Sequence, residues 1–122
     1  MDDRLSLMQI LLLITYAISM AGGQILFKLA ALRMPAAGSP GERLLGLAHN
    51  EFFGAAVALY AALAVFWVWI LSFTPLSRAY VFVALGFAIT PFAGGLMFGE
   101  PISVRLVVGI TFIVLGLVCV AG

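Results

Sequence analysis

Charge is what this sequence has least of. Lys, Arg, Asp and Glu make up 9% of its 122 residues, against about a quarter of a soluble domain. The formal net charge is only +1, so there is no basic field to hold nucleic acid, and none is expected as a partner. The single cysteine, Cys119, excludes an internal disulfide, and the single histidine, His49, has no ligand partner nearby. Without a Cys/His cluster at metal-ligand spacing, neither a metal nor a cofactor is expected. A catalytic triad and a phosphate loop are missing as well, so the chain does not read as an enzyme. What is present is apolar: 65% of residues are hydrophobic and the mean hydropathy is +1.24. That composition excludes a water-soluble globule and is the composition of a membrane protein.

A bilayer core about 30 Å thick needs roughly 20 apolar residues per helical crossing. The few charges divide the chain into Leu5 to Phe27, Phe52 to Thr74, Ala79 to Gly99 and Leu106 to Gly122, the last extended past Arg105 by Ile102, Ser103 and Val104. The prediction is one all-α transmembrane domain over 1–122, with four up-and-down helices at approximately 5–30, 52–74, 78–98 and 102–121. The start, Asp2-Asp3-Arg4, lacks the positive n-region of a cleaved signal peptide, so the first run is read as a retained span. Between Arg33 and Glu51, the cluster Pro35, Gly38, Ser39, Pro40 and Gly41 reads as loop. Thr74 to Arg78 reads as a tight turn; Gly99 suits a helix end and Pro101 a first helical turn. Lys28, Arg33, Arg43 and Arg105 fall on one side, Arg4 and Arg78 on the other. The positive-inside rule then places both termini outside, although so slight a bias leaves dual insertion open.

Polar groups are scarce enough for their angles to matter. At 100° per residue, Gln9, Tyr16, Met20 and Gln24 fall within about 80° of one another, with Gly23 beside them and Lys28 continuing the stripe. Such a stripe faces neighbouring helices or a wet cavity, because a glutamine in hydrocarbon needs a partner. Trp67 and Trp69 point about 200° apart, so at most one meets a substrate, and Trp67 is favoured; an aromatic belt at the interface is the plainer account. Pro91 removes a backbone donor and predicts a kink in the third span. Gly109 and Gly116 share one face of the fourth, which lets another helix approach closely.

Three segments together resemble the small multidrug resistance family of the drug/metabolite transporter superfamily. They are Gly23-Gln24-Ile25-Leu26-Phe27-Lys28, Pro75-Leu76-Ser77-Arg78-Ala79-Tyr80, and Gly99-Glu100-Pro101-Ile102-Ser103-Val104-Arg105 followed by Gly109 and Gly116. The last looks most like the small subunits proposed to flip aminoarabinose linked to undecaprenyl phosphate. In the drug-exporting members a glutamate stands where this chain has Met20, and no span here contains an acid. The resemblance therefore implies a different cargo. It points to a polyprenyl-phosphate-linked sugar or similar amphiphile, moved by alternating access at a dimer cavity in the bacterial inner membrane.

On that reading Tyr16, Gln24, Lys28, Trp67 and Tyr80 contact the substrate, while Arg78 and Arg105 meet the phosphate headgroup. Pro91 permits the bend, and Gly109 and Gly116 contact a second copy or a similar small subunit. Glu100 is assigned a structural role, capping the last helix or pairing with Arg105. Two other readings remain beside it: a small-molecule exporter that works without the first-helix glutamate, and a membrane scaffold that transports nothing.

Overall fold

The computed structural model describes residues 5–35 and 38–121. The charged start Asp2-Asp3-Arg4, including Arg4 of the orientation count, lies outside the described residues, as does Gly122. The chain is all-helical among the described residues: α1 (Leu7–Leu32), α2 (Pro40–Ala48), α3 (Glu51–Leu71), α4 (Leu76–Phe98) and α5 (Val104–Ala121). Three of these, α1, α3 and α4, are long and apolar enough to cross a membrane, which is the pattern of a membrane-embedded protein. The apolar helix α5 is shorter.

Four of the five helices begin where a side chain satisfies a free N–H group; α4, which follows Pro75, has no side-chain cap. The Ser6 hydroxyl accepts from the Gln9 N–H while the Gln9 side-chain carbonyl accepts from the Ser6 N–H, a reciprocal box that starts α1. The Gln9 amide nitrogen then donates to the Phe73 carbonyl at 2.9 Å and the Thr74 hydroxyl at 3.1 Å. This ties α1 to the turn between α3 and α4. Asn50 starts α3 by accepting from Phe52 and Phe53, and its amide donates to the Ala30 carbonyl at 3.0 Å.

Two expectations about connections change. The segment read as loop contains α2, because Ser39 caps it and Pro40 sits at its first position, where proline loses no bond. Pro101 does not open the last helix; α5 begins at Val104, with the Ser103 hydroxyl accepting from the Leu106 N–H. Pro101 and Ile102 instead fold back over α4. Gly99 permits this by ending α4 in the left-handed region at φ 67°. Gly95 permits it too: a Cβ there would run into the Ile102 side chain and lie 3.3 Å from the Glu100 carbonyl oxygen.

Helix α1 packs between α3 and α4, and α5 packs on the far side of α4. The core lies at the end where α1 begins, built from Leu13, Ile70, Ala79, Phe82 and Leu117. There the Arg78 guanidinium donates to the Val120 carbonyl at 2.9 Å and clamps the start of α4 to the last turn of α5. Toward the other end, the buried positions of α1 and α3 are small: Ala21, Gly23, Ala30 and Ala56. Small side chains let α1 and α3 approach closely there. On the α4 side of α1, space is left over.

Candidate functional site

The site starts at Gly23. A Cβ on this residue would stand 2.6 Å from the Tyr60 ring, so the ring of Tyr60 lies directly across α1. The Tyr60 hydroxyl donates to the Met20 carbonyl at 3.1 Å and accepts from the Gln24 amide at 2.8 Å. Stacking on Phe27, with ring centroids 5.2 Å apart, holds the same ring as well. Tyr60 thereby fixes the orientation of Gln24. Its place in the site was missed in the sequence, although a phenol in the middle of an otherwise apolar span is a signal that could have been read.

Gln24 borders two adjoining hollows between α1 and α4. One, of about 310 Å³, is lined by Met20, Gln24, Gly86, Phe87, Thr90 and Pro91 among others. The next, of about 260 Å³, shares Gln24, Thr90 and Pro91 with it and reaches Lys28, Phe98 and Glu100. Together they form a groove with apolar walls, polar edges at Gln24 and Thr90, and charge at one end only. Pro91 lies inside α4, which continues through it to Phe98.

At the charged end the Lys28 ammonium is 4.0 Å from the Glu100 carboxylate, both side chains about half exposed. This replaces both structural roles expected for Glu100, since Ser103 caps α5 and Lys28, not Arg105, is the ion partner. Glu100 reaches Lys28 because the turn after Gly99 lays it over Gly94, where a Cβ would be 3.4 Å from its carboxylate oxygen. Among the three long helices the acid is Glu51, at the first position of α3 and paired with Arg33, yet the groove ends on another, Glu100.

The polar stripe of α1 divides among neighbours. Gln9 goes to the α3–α4 turn, Met20 and Gln24 go to the groove, and Tyr16 packs on Trp67 at a ring distance of 4.8 Å between α1 and α3. Trp67 therefore meets Tyr16, whereas Trp69 is exposed beside Phe73. Tyr80 lies one turn beyond Val83 on α4 and is 64% exposed. Arg78 stands at the opposite end of the bundle from Lys28, and Arg105 lines a different hollow, between α4 and α5. Gly109 and Gly116 face open space, with nothing within 4 Å of an added Cβ. Among the described residues no group of three His, Cys, Asp or Glu side chains converges to hold a metal.

Such a groove suits an amphiphile. Its chain can lie along Val83 and Phe87 while a polar head meets Gln24 and the charged pair. Comparisons of the chain with protein-family models, curated proteins and solved structures find no match.

Proposed function

We propose that this chain is a multi-pass transporter or flippase subunit of the bacterial inner membrane, with α5 as its fourth crossing. Its cargo on this reading is a lipid-linked sugar of the polyprenyl-phosphate type or a similar amphiphile. The groove between α1 and α4 carries the proposal: its walls are mostly apolar, the Gln24 amide stands where its two hollows adjoin, and a cation stands at one end. Lys28 meets the phosphate as a charge-assisted donor, and Gln24, held by Tyr60, meets the sugar hydroxyls. The two repeats that transporters use around a shared site would come from two copies, or from one copy and a similar small subunit. The open face of Gly109 and Gly116 supports that pairing. The resemblance to the small multidrug resistance family supplies the cargo class and the membrane.

Lys28→Ala is expected to lower flipping of a polyprenyl-phosphate-linked sugar in proteoliposomes by about tenfold or more, the loss of one charge-assisted contact. Stability should scarcely move, because an exposed ion pair contributes roughly 0–1 kcal/mol. Unchanged flipping by both Lys28→Ala and Gln24→Ala, for every lipid-linked sugar tried, would overturn the assignment.

One observation favours a second reading, a small-molecule exporter. Glu100 supplies at the groove's end the counter-charge that the spans lack. On that reading Glu100→Gln abolishes any resistance to toxic cations conferred by expression, and Lys28→Ala leaves it intact. The two substitutions separate the readings because they remove opposite charges from one pair.

A further inference from the structure

The second face of α4 carries a hollow that the cargo reading does not use. It lies between α4 and α5, measures about 440 Å³, and is walled by Phe87, Leu106, Gly109, Ile110 and Ile113, with Arg105 and Ser103 at one end; Gly109 is the residue of its lining that the proposed pairing face shares. We propose that this hollow binds an anionic glycerophospholipid, with its phosphate on Arg105 and one acyl chain along α5.

Three observations lead there. The first is charge. Lys28 has Glu100, Arg33 has Glu51 at 2.7 Å, and Arg78 has the Val120 carbonyl; the side chains of Arg105 and of the exposed Arg43 on α2 make no ion pair or hydrogen bond among the described residues, and Arg105 lines this apolar hollow. An unpaired guanidinium at the head of an apolar hollow calls for an anion attached to something greasy. The position sharpens this, since a cation in the first turn of a helix opposes the helix dipole unless an anion joins it. Ser103 adds a hydroxyl whose oxygen accepts from the Leu106 N–H and whose hydrogen is left to donate.

The second observation is length. Arg105 to Ile113 spans about 12 Å of helix at 1.5 Å per residue. One leaflet of a bilayer core is about 15 Å deep, half of about 30 Å. A chain descending from a phosphate at Arg105 therefore has an apolar wall beside it along most of one leaflet. A free phosphate would use the charged end and leave the apolar walls without purpose.

The third concerns the competing occupant, a second copy of this chain. Helix α5 holds no acidic residue. A copy that docked α5 against α5 through this hollow would fill it with apolar side chains and leave Arg105 unpaired. A lipid phosphate satisfies both needs at once. The inference does not depend on what the chain transports.

The test is native mass spectrometry of the full chain in mild detergent, delipidated and then offered equal amounts of phosphatidylglycerol and phosphatidylcholine. Wild type should retain phosphatidylglycerol in preference. Arg105→Gln should lower that preference about fivefold, the effect of one basic residue near the membrane surface. Arg43→Gln, which removes an exposed cation of α2, should leave it unchanged. Ile113→Trp keeps the charge but fills the hollow, and should also reduce retention; its folding, like that of Arg105→Gln, is checked by circular dichroism.

Four results would overturn the proposal. A wild-type preference in Arg105→Gln removes the headgroup contact. Displacement of the lipid by glycerol 3-phosphate at equal concentration makes the site one for soluble phosphate. A lipid carried by the monomer mass and missing from the dimer shows that a second copy takes the hollow. Loss in Lys28→Ala together with retention in Arg105→Gln moves the lipid to the α1–α4 groove.

Discussion

Gly23→Val is expected to lower the unfolding free energy by about 2–4 kcal/mol. The Tyr60 ring occupies the space that the new side chain needs, with ring atoms 2.6 and 2.9 Å from the Cβ position. The ring has little room to yield, because it stacks on Phe27 and its hydroxyl is tied to Met20 and Gln24. Overpacking of this kind costs about 1–3 kcal/mol. Displacing the ring also breaks the hydrogen bonds to Met20 and Gln24, and interhelical hydrogen bonds in membranes contribute about 0.6 kcal/mol each on average. Steric conflict is therefore the larger part.

The measurement is a denaturing-detergent titration followed by the fluorescence of Trp67 and Trp69. Two controls isolate the cause. Gly22→Val adds the same side chain one residue earlier, where an added Cβ meets nothing within 4 Å, and should be close to neutral, because valine ranks above glycine in helix propensity. Tyr60→Phe removes the hydroxyl alone and should cost about 1 kcal/mol. In Gly23→Val/Tyr60→Ala the steric penalty should largely vanish, so the two changes should be far from additive. Equal losses in Gly22→Val and Gly23→Val would show that the ring does not lie where the structure places it.

Gly95→Val should cost about 1–3 kcal/mol by the same measurement. Here the obstruction is the Ile102 side chain, with the Glu100 carbonyl oxygen 3.3 Å behind it. A side-chain tip can swing away; a backbone carbonyl moves only if the whole turn lifts. The turn carries Glu100, so lifting it draws the carboxylate away from Lys28. Gly95→Val is therefore expected to reproduce the transport phenotype of Glu100→Gln as well as to destabilise. Ile102→Ala should recover part of the stability in the Gly95→Val background. Gly86→Val, on the same helix with nothing near its Cβ position, should be close to neutral in stability. A Gly95→Val protein as stable as Gly86→Val would mean that the α4–α5 turn does not rest on Gly95.

Much was legible in the sequence because it is local. Apolar runs set off by charges mark helices long enough for a bilayer, and three of them are α1, α3 and α4. Gly99 marks the end of α4, because a left-handed residue there favours glycine. Other local signals were present but read the wrong way. Ser39-Pro40 begins a helix as naturally as it breaks one, and the cluster around it hid α2. Pro101 suits a first helical turn equally well, but Ser103 is the residue that caps α5.

The angular stripe on α1 is the instructive case. Counting at 100° per residue groups Gln9, Tyr16, Met20 and Gln24, yet it cannot say which neighbour each one meets. Helix α1 lies between α3 and α4, so one stripe is shared out to the α3–α4 turn, to an aromatic cluster and to a groove.

By itself, then, the sequence determined composition class, helix content and the places where most helices stop, all of which follow from hydropathy and backbone preference within a few residues. Only the tertiary structure decided that Tyr60 holds Gln24, that Glu100 rather than a first-helix acid stands beside Lys28, and that Arg105 faces a separate hollow. Those pairings join residues far apart in the chain. They depend on how each helix is rotated against the next and on one turn folding back across two glycines, and no periodicity along a single helix encodes either.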